Sequence, residues 1–327
     1  MKLLKKRVLV ALLTAALMLL ASCTAQSGAQ AANDNNAAND KLLVYTSFYP
    51  IYDFASQIGG DRVELVRLIT DGSEPHSWEP QPADIVGLEK ADVFIYNGAG
   101  METWVDKVLS SLQNKELVVV DTSSGIELIA AEHLHDHDDE GHDEDEDHDH
   151  NDEEHHEDET SYDPHIWLSL RNAKKQAENI KNALAQADPD NAEYYNDNYN
   201  RFAQELDALD AEFTEALRNI ADKNVVVSHQ AFAYLCKDYG LTQIAVEGLT
   251  PDSEPDAARM VEIIEFCKQN NVKTIFFEEL ASEKVAQTIS KATGVSVSVL
   301  TAEQSQTEED YLGFMRANLR ALTEGLQ

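Results

Sequence analysis

The sequence predicts an α/β protein with two domains, each built on a largely parallel sheet, and one long helix between them. Apolar runs rich in β-branched residues alternate with helical patterns, four runs in the first half of the chain and four in the second. Strands that alternate with helices in this way are typical of parallel sheets. The predicted strands occupy residues 42–46, 63–69, 93–96, 117–120, 224–228, 243–247, 274–277 and 295–300.

The helix between the two halves is predicted over residues 191–219. Apolar side chains recur there at spacings of three and four, which places them on one face of a helix. Asp188-Pro189-Asp190 supplies a start signal just before it. At 1.5 Å per residue the helix would be roughly 40 Å long and would act as a stiff spine. An ordinary surface helix of one domain is the alternative. The predicted face comprises Tyr195, Asn198, Phe202, Leu206, Leu209, Phe213, Ala216 and Ile220.

The N-terminus has the pattern of an export signal. MKLLKKR is basic, the apolar run after it is too short for a comfortable membrane span, and Leu20-Ala21-Ser22-Cys23 resembles a bacterial lipobox. We therefore expect residues 1–22 to be a signal peptide and Cys23 to be lipidated, with a plain signal peptide as the alternative. Two acyl chains give stable anchoring, so we expect the protein outside the cytoplasm, anchored to the bacterial cell membrane. The pattern leaves open whether this is a Gram-positive surface or a periplasm.

These features divide the chain into five predicted segments. Export into an oxidising compartment also allows a disulfide between Cys236 and Cys267, with two buried, small apolar side chains as the alternative. The segments are the signal peptide 1–22, a lipid-anchored flexible tether 23–40, an N-terminal α/β lobe 41–190, the linking helix 191–219 and a C-terminal α/β lobe 220–327.

The chain is strongly acidic, with 25 Lys and Arg residues against 60 Asp and Glu residues and a formal charge of −35. This charge argues against nucleic acid as a partner, because phosphate would repel it, and it favours cations. Residues 133–160 contribute sixteen acids and eight histidines with almost no apolar residue. We expect residues 132–160 to form a disordered loop with many weak, interchangeable metal sites, or a solvated spacer as the alternative. The loop histidines are His133, His135, His137, His142, His148, His150, His155 and His156.

Three histidines lie outside the acidic loop, and all three fall in loops between predicted elements. His76 lies in DGSEPHSWEP after the second strand, His165 in YDPHIWLSL before a helix, and His229 directly after the fifth strand. Loops at the carboxyl ends of parallel strands are where open α/β sheets place ligands. Three imidazoles suit Zn²⁺, which takes four tetrahedral ligands, and a carboxylate would complete the set. Acids that follow late strands compete for this place: Glu303, Glu279 and Glu247.

Several longer motifs resemble the zinc- and manganese-binding lipoproteins that supply bacterial ABC importers, in particular the zinc-type, ZnuA-like branch. The motifs are PHSWEP, DPHIWLS, SHQAFAYLCKDYGL, EGLTPDSEPDAARM and IFFEELASEKVAQTIS, and the similarity covers about residues 42–325. The resemblance implies an α/β fold of two (β/α)4 lobes with parallel-rich sheets, bridged by one long rigid helix, with the metal between the lobes.

The resemblance also implies ligands and partners. His76, His165 and His229 match the family's three metal histidines, and the fourth ligand is an acid shortly after the last strand. Glu303 is the choice for that place, with a water or another Glu as the alternative. The segment Leu300-Thr301-Ala302-Glu303-Gln304 is shorter than the family pattern and lacks its proline. The protein would work as a monomer, carry Zn²⁺ as its transported ligand, and pass it to an ABC permease driven by a cytoplasmic ATPase. The acidic loop would gather zinc near the cleft.

Zinc is favoured over manganese because Mn²⁺ prefers oxygen-rich shells, whereas position 229 is a histidine and not an acid. A manganese- or iron-binding homologue and a metal-dependent surface adhesin are the alternatives. A zinc hydrolase is less well supported, because the sequence has neither an HExxH nor a GxSxG motif. We therefore expect a binding protein and not an enzyme.

Overall fold

Parallel strands in two four-stranded sheets organise the protein. The computed structural model describes residues 41–131, 162–249, 255–278, 283–302 and 310–327. Within them the first sheet has the order β2-β1-β3-β4 and the second has the order β6-β5-β7-β8. The strands are β1 (Leu42–Thr46), β2 (Val63–Arg67), β3 (Val93–Tyr96), β4 (Val118–Asp121), β5 (Asn224–Val227), β6 (Thr242–Ala245), β7 (Thr274–Phe277) and β8 (Ser296–Val299).

Helices follow the strands in both halves, as the alternating pattern predicts. Short 3-10 turns at Gly60–Arg62, Ile166–Leu168 and Pro189–Asn191 add local bends. The helices are α1 (Tyr49–Gly59), α2 (Pro82–Leu88), α3 (Val105–Ser111), α4 (Leu170–Ala187), α5 (Ala192–Leu217), α6 (Ala233–Tyr239), α7 (Ala257–Gln269), α8 (Glu283–Thr293) and α9 (Tyr311–Gly325).

The inner strands are mostly buried: β7 completely, β3 and β5 at three of four positions, and β1 at Val44 and Thr46. Val44 of β1 pairs with Leu65 on one side and Val93 on the other, and Val226 of β5 pairs with Ile244 and Ile275 in the same arrangement. A strand covered on both faces needs apolar side chains in both directions, which explains the continuous apolar runs in the sequence. The predicted fold class is confirmed in both sheets, with strands a few residues shorter than some of the predicted runs.

The long helix is α5, which has 26 residues where 29 positions, 191–219, were predicted. It packs against helices from both halves: Phe202 lies 5.7 Å from Phe54 of α1, and Phe213 stacks on Tyr239 of α6 at 5.0 Å, measured between ring centroids. The helix therefore packs against α1 from the first half of the chain and against α6 from the second half.

One position on the predicted face of α5 is wrong. Ala216 is exposed, and Leu217 occupies the buried place instead. Leu217 lies four residues after Phe213, and a spacing of four keeps a side chain on the same face of a helix. The larger side chain also gains more from burial.

Residues Lys41–Gln327 form one compact unit, and the lobe boundaries at 190 and 220 remain predictions. Cys236 and Cys267 are both free and buried, so the disulfide that the sequence allows is not formed. They belong to separate apolar clusters, Cys236 to the large one and Cys267 to a smaller one around β7. Residues 1–40, with the predicted signal peptide, Cys23 and the tether, lie outside the described residues, as does the acidic loop. Among the described helices, none combines the length and the apolar composition that crossing a membrane requires.

Candidate metal site

The three histidines outside the acidic loop converge on one point. His165 Nε2 lies 3.1 Å from His76 Nε2 and 3.3 Å from His229 Nε2, and one nitrogen from each of the three rings lies within 4.8 Å of the others. With Zn–N bonds of 2.0–2.1 Å, the edge of a tetrahedron between two nitrogen ligands is about 3.3–3.4 Å. The two short separations therefore match a shared divalent ion.

Each histidine lies in the loop that the sequence predicts for it. His76 lies in the loop between β2 and α2, and its backbone N–H donates to Glu74 Oε1 over 3.2 Å. His165 directly precedes the turn Ile166–Leu168, and His229 lies two residues after β5. The last two are almost fully buried, with 0% and 4% of their surface exposed. Their ring positions are therefore set by packing.

Two carboxylates fix the orientation of the buried rings. His165 Nδ1 donates to Asp163 Oδ1 over 2.8 Å, and His229 Nδ1 donates to Glu278 Oε1. The proton on each Nδ1 leaves the lone pair on Nε2, which is the atom that points to the shared centre. A carboxylate on the far nitrogen of a metal-bound histidine is a common arrangement, because it fixes the tautomer and raises the basicity of the ligand.

The sequence reasoning missed both orienting carboxylates. Asp163 stands two residues before His165, and Glu278 is the first residue after β7. The signal for Asp163 was its spacing, because an acid two residues before a histidine can reach the ring of that histidine in a turn. For Glu278, the adjacent Glu279 was considered instead.

The polar surroundings also hold the chain around His165. Asp163 Oδ1 accepts from the backbone N–H of His165 over 2.9 Å, and Asn97 Nδ2 donates to the carbonyl oxygen of Pro164 over 2.9 Å. Gln176 Nε2 in turn donates to Asn97 Oδ1 over 3.0 Å. These buried contacts restrict the segment that carries His165.

Electrostatics keep two of the three imidazoles neutral. Burial, helped by the neighbouring His165 and His229, lowers the pKa of His76 to about 3. Burial also lowers the pKa of His165 well below its usual value. For His229, burial opposes the charged form, but the charge and hydrogen bond of Glu278 outweigh it and raise the pKa. Neutral imidazoles are what metal ligation requires.

The fourth ligand is not resolved by the described residues. Glu303 and Glu279 lie outside them, and Glu247 is described but is not a member of the three-histidine group. Glu247 is nevertheless close to the site, because its backbone N–H donates to Ser228 over 2.8 Å and its charge acts on His229. The eight loop histidines also lie outside the described residues.

Comparison with known proteins places this chain in a family. The family model described as the periplasmic zinc-uptake complex component A, ZnuA, matches residues 44–325. The zinc-binding lipoprotein AdcA of Streptococcus pneumoniae is 38% identical over 304 residues, which are 90% of this chain and 58% of that protein. This chain therefore spans little more than half the length of that relative. The high-affinity zinc uptake system protein ZnuA of Bacillus subtilis is 38% identical over 318 residues, 95% of each chain.

Solved structures agree with this relationship. The Zn(II)-bound ZnuA-like domain of S. pneumoniae AdcA superposes with a TM-score of 0.72 at 35% identity, over 88% of this chain and 99% of that domain. The laminin-binding protein Lmb of Streptococcus agalactiae, described as a bifunctional protein with adhesin and metal-transporting activity, has a TM-score of 0.75 at 30% identity, over 88% of this chain and all of that one. The chain belongs to the ZnuA family of zinc-uptake components.

Proposed function

We propose that the protein is an extracytoplasmic solute-binding lipoprotein that captures Zn²⁺ with His76, His165 and His229 and delivers it to an ABC-type permease for import. The observation that carries the proposal is the convergence of three Nε2 atoms, two of them on rings whose Nδ1 atoms are held by carboxylates. Zinc is the metal that such a nitrogen-rich shell fits best, whereas manganese favours more oxygen ligands. The names of the relatives, which describe zinc binding and zinc uptake, support the same metal.

The delivery step involves partners that recognise the loaded protein. We propose that a membrane permease takes the metal and that a cytoplasmic ATPase drives its transport, while the lipid on Cys23 keeps the binding protein at the membrane as a monomer. No chemical step is assigned to the protein itself. If the protein were a zinc hydrolase, the zinc-loaded protein would turn over ester, phosphoester or peptide substrates. A zinc-binding protein would turn over none of them.

The acidic loop is proposed to be an accessory to this site. Its imidazoles and carboxylates would bind zinc weakly and raise the local zinc concentration near the three histidines. Deletion of residues 133–160 should slow growth under zinc starvation and leave growth in zinc-replete medium unchanged. Equal growth at every zinc level would support a solvated spacer instead.

A second candidate function is adhesion, because a structural neighbour, Lmb, is described as both an adhesin and a metal transporter. This candidate predicts that the purified protein binds laminin. Loss of laminin binding in His76→Ala, with zinc uptake unchanged, would favour adhesion as the main role.

The central proposal is tested by zinc titration against a competing chelator, with residues 133–160 deleted. We expect one site with a sub-micromolar dissociation constant, which His229→Ala abolishes. In the full-length protein, His156→Ala is the matched control, because it also removes one imidazole but should leave the tight site intact. Loss of tight binding on deletion of the loop alone would overturn the proposal.

A further inference from the structure

Tyr234 connects the segment that carries His165, in the first half of the chain, with the helix that follows His229, in the second half. It lies on α6, five residues after His229, and its ring is buried with 3% of its surface exposed. Its hydroxyl accepts a hydrogen bond from the backbone N–H of Ile129 over 3.0 Å and donates one to the carbonyl oxygen of Asp163 over 2.8 Å. One side chain that follows β5 thus contacts two backbone segments that follow β4.

These two segments are also bonded to each other. The backbone N–H of Asp163 donates to the carbonyl oxygen of Ile129 over 2.9 Å, and the next residues along, Ala130 and Tyr162, form an antiparallel bridge. Ile129, Asp163 and the hydroxyl of Tyr234 therefore form a closed triangle of hydrogen bonds. Burial raises the pKa of Tyr234 to about 12, so the hydroxyl keeps its proton and remains a donor to Asp163 at physiological pH.

The triangle bears directly on the metal site through Asp163. The side chain of Asp163 holds both the Nδ1 and the backbone N–H of His165, whereas its carbonyl oxygen is held by Tyr234. Any shift of the Asp163 backbone would therefore move the ring of His165. Tyr234 belongs to the helix that follows His229, so it relates the position of His165 to that of His229.

We propose that Tyr234 is a positioning residue for zinc, whose hydroxyl fixes the separation of His165 Nε2 and His229 Nε2. The inference rests on the proposed function, because it assigns Tyr234 a role in that same zinc site. The role is geometric, because two nitrogens held 3.3 Å apart match the edge of the tetrahedron of ligands around zinc. Groups beyond the direct ligands commonly change metal affinity by one to two orders of magnitude.

The informative substitution is Tyr234→Phe, which keeps the buried aromatic ring and removes only the hydroxyl. It leaves the N–H of Ile129 and the carbonyl of Asp163 without this partner, so the segment that carries His165 can relax. Because Tyr234 acts one step further out than Asp163, we expect zinc affinity to fall by about tenfold, the lower end of the range for such partners. We also expect the visible absorption of the Co²⁺-loaded protein to lose intensity and shift, since these bands report the coordination geometry.

Tyr239→Phe is the matched control. Tyr239 lies on the same helix, is 9% exposed, and donates its hydroxyl to Asp210 Oδ1 over 2.8 Å, a contact between α6 and α5 that involves no metal ligand. This variant should bind zinc and cobalt as the unmodified protein does, even where its melting temperature falls.

The outcomes separate the inference from the proposed function. Failure of the unmodified protein to bind zinc tightly would overturn the proposed function and the inference with it. Tight binding by the unmodified protein, with the same affinity in Tyr234→Phe, would overturn the inference alone. A weaker affinity with an unchanged cobalt spectrum, or an equal loss in Tyr239→Phe, would indicate a general effect on stability and would also overturn it. Melting curves of the zinc-free variants verify folding.

Discussion

The indole Nε1 of Trp167 donates a hydrogen bond to the carbonyl oxygen of Ala302 over 2.8 Å, and both residues are fully buried. Trp167 lies two residues after His165, whereas Ala302 immediately precedes Glu303 in the sequence. Tyr311 strengthens the link, because its hydroxyl donates to the carbonyl oxygen of Trp167 over 2.6 Å. Ala302 is therefore held beside the segment that carries His165, and Glu303 as the fourth ligand stays a prediction.

Glu303→Gln should lower zinc affinity by roughly 100-fold. Structural zinc sites derive about 10–16 kcal/mol from four ligands, so one ligand contributes about 2.5 kcal/mol or more, and every 1.4 kcal/mol is a factor of ten in affinity. Glutamine keeps the size of the side chain and loses its charge. The measurement is chelator competition in the protein that lacks residues 133–160. Glu247→Gln and Glu279→Gln are the matched controls, and each should change the affinity by less than Glu303→Gln does. If either control shows the larger loss, that residue replaces Glu303 as the expected ligand.

Glu278→Gln should lower zinc affinity by about 10–100-fold without removing a ligand. Glu278 accepts from His229 Nδ1 and, over 2.8 Å, from the hydroxyl of Ser228, so its charge both orients the ring and makes Nε2 a stronger donor to the metal. Isothermal titration at neutral pH measures the change. Glu127→Gln serves as the control, because that side chain is 90% exposed and pairs with Lys237. Equal affinities in the unmodified protein and Glu278→Gln would show that the carboxylate does not act on the metal.

The position of Glu278 also shows where sequence reasoning stops. The sequence contains Glu278-Glu279 after an apolar strand, and the strand ends at Phe277. The predicted end of this strand agrees with the structure, but two acids follow it, and the sequence alone does not show that the first of them reaches His229. On the long helix, an offset of one position exchanged Ala216 for Leu217.

The histidines were predictable because they are few outside the acidic loop and each follows a strand or precedes a helix. The contacts that hold the histidines in position could not be predicted. Trp167 and Ala302 are 135 residues apart in the sequence, and Tyr234 and Asp163 are 71 apart. A hydrogen bond between a side chain and a distant carbonyl leaves no periodic pattern, so it becomes visible only when the fold brings both partners together.

Ser169→Ala should lower the free energy of unfolding of the zinc-free protein by about 1–3 kcal/mol, because the hydroxyl makes two contacts. Ser169 Oγ accepts from the backbone N–H of Asn172 over 3.1 Å as the N-cap of α4, and it donates to Asp238 Oδ2 on α6 over 2.6 Å. Urea denaturation measures the loss. Ser110→Ala is the control, since Ser110 is exposed and its hydroxyl donates to the carbonyl of Lys107 within the same helix, α3. Comparable losses in the two variants would contradict the assigned role of Ser169.

The buried side chain of Glu102 makes the free energy of unfolding depend on pH. Its carboxylate is buried, with 6% of the residue exposed, and accepts from the backbone N–H groups of Asn97 over 2.8 Å and Gly98 over 3.0 Å. Burial raises its pKa from 4.5 to about 7, although these hydrogen bonds act in the opposite direction. Between these two pH values the folded protein holds a proton that the unfolded chain has released. The stability that this group contributes is therefore greatest below pH 4.5 and decreases as the pH rises to about 7.

Glu102→Gln removes this titration and keeps the size of the side chain. The free energy of unfolding of the unmodified protein, minus that of the variant, should fall by about 2–3 kcal/mol as the pH rises from 4.5 to 8, and it should change little outside that window. Taking the difference cancels the contributions of His76 and His165, whose lowered pKa values act in both proteins. Urea denaturation of the zinc-free proteins at several pH values gives both curves. Curves that stay parallel across the window would mean that Glu102 is ionised in the folded protein throughout, held in its charged form by the two backbone donors.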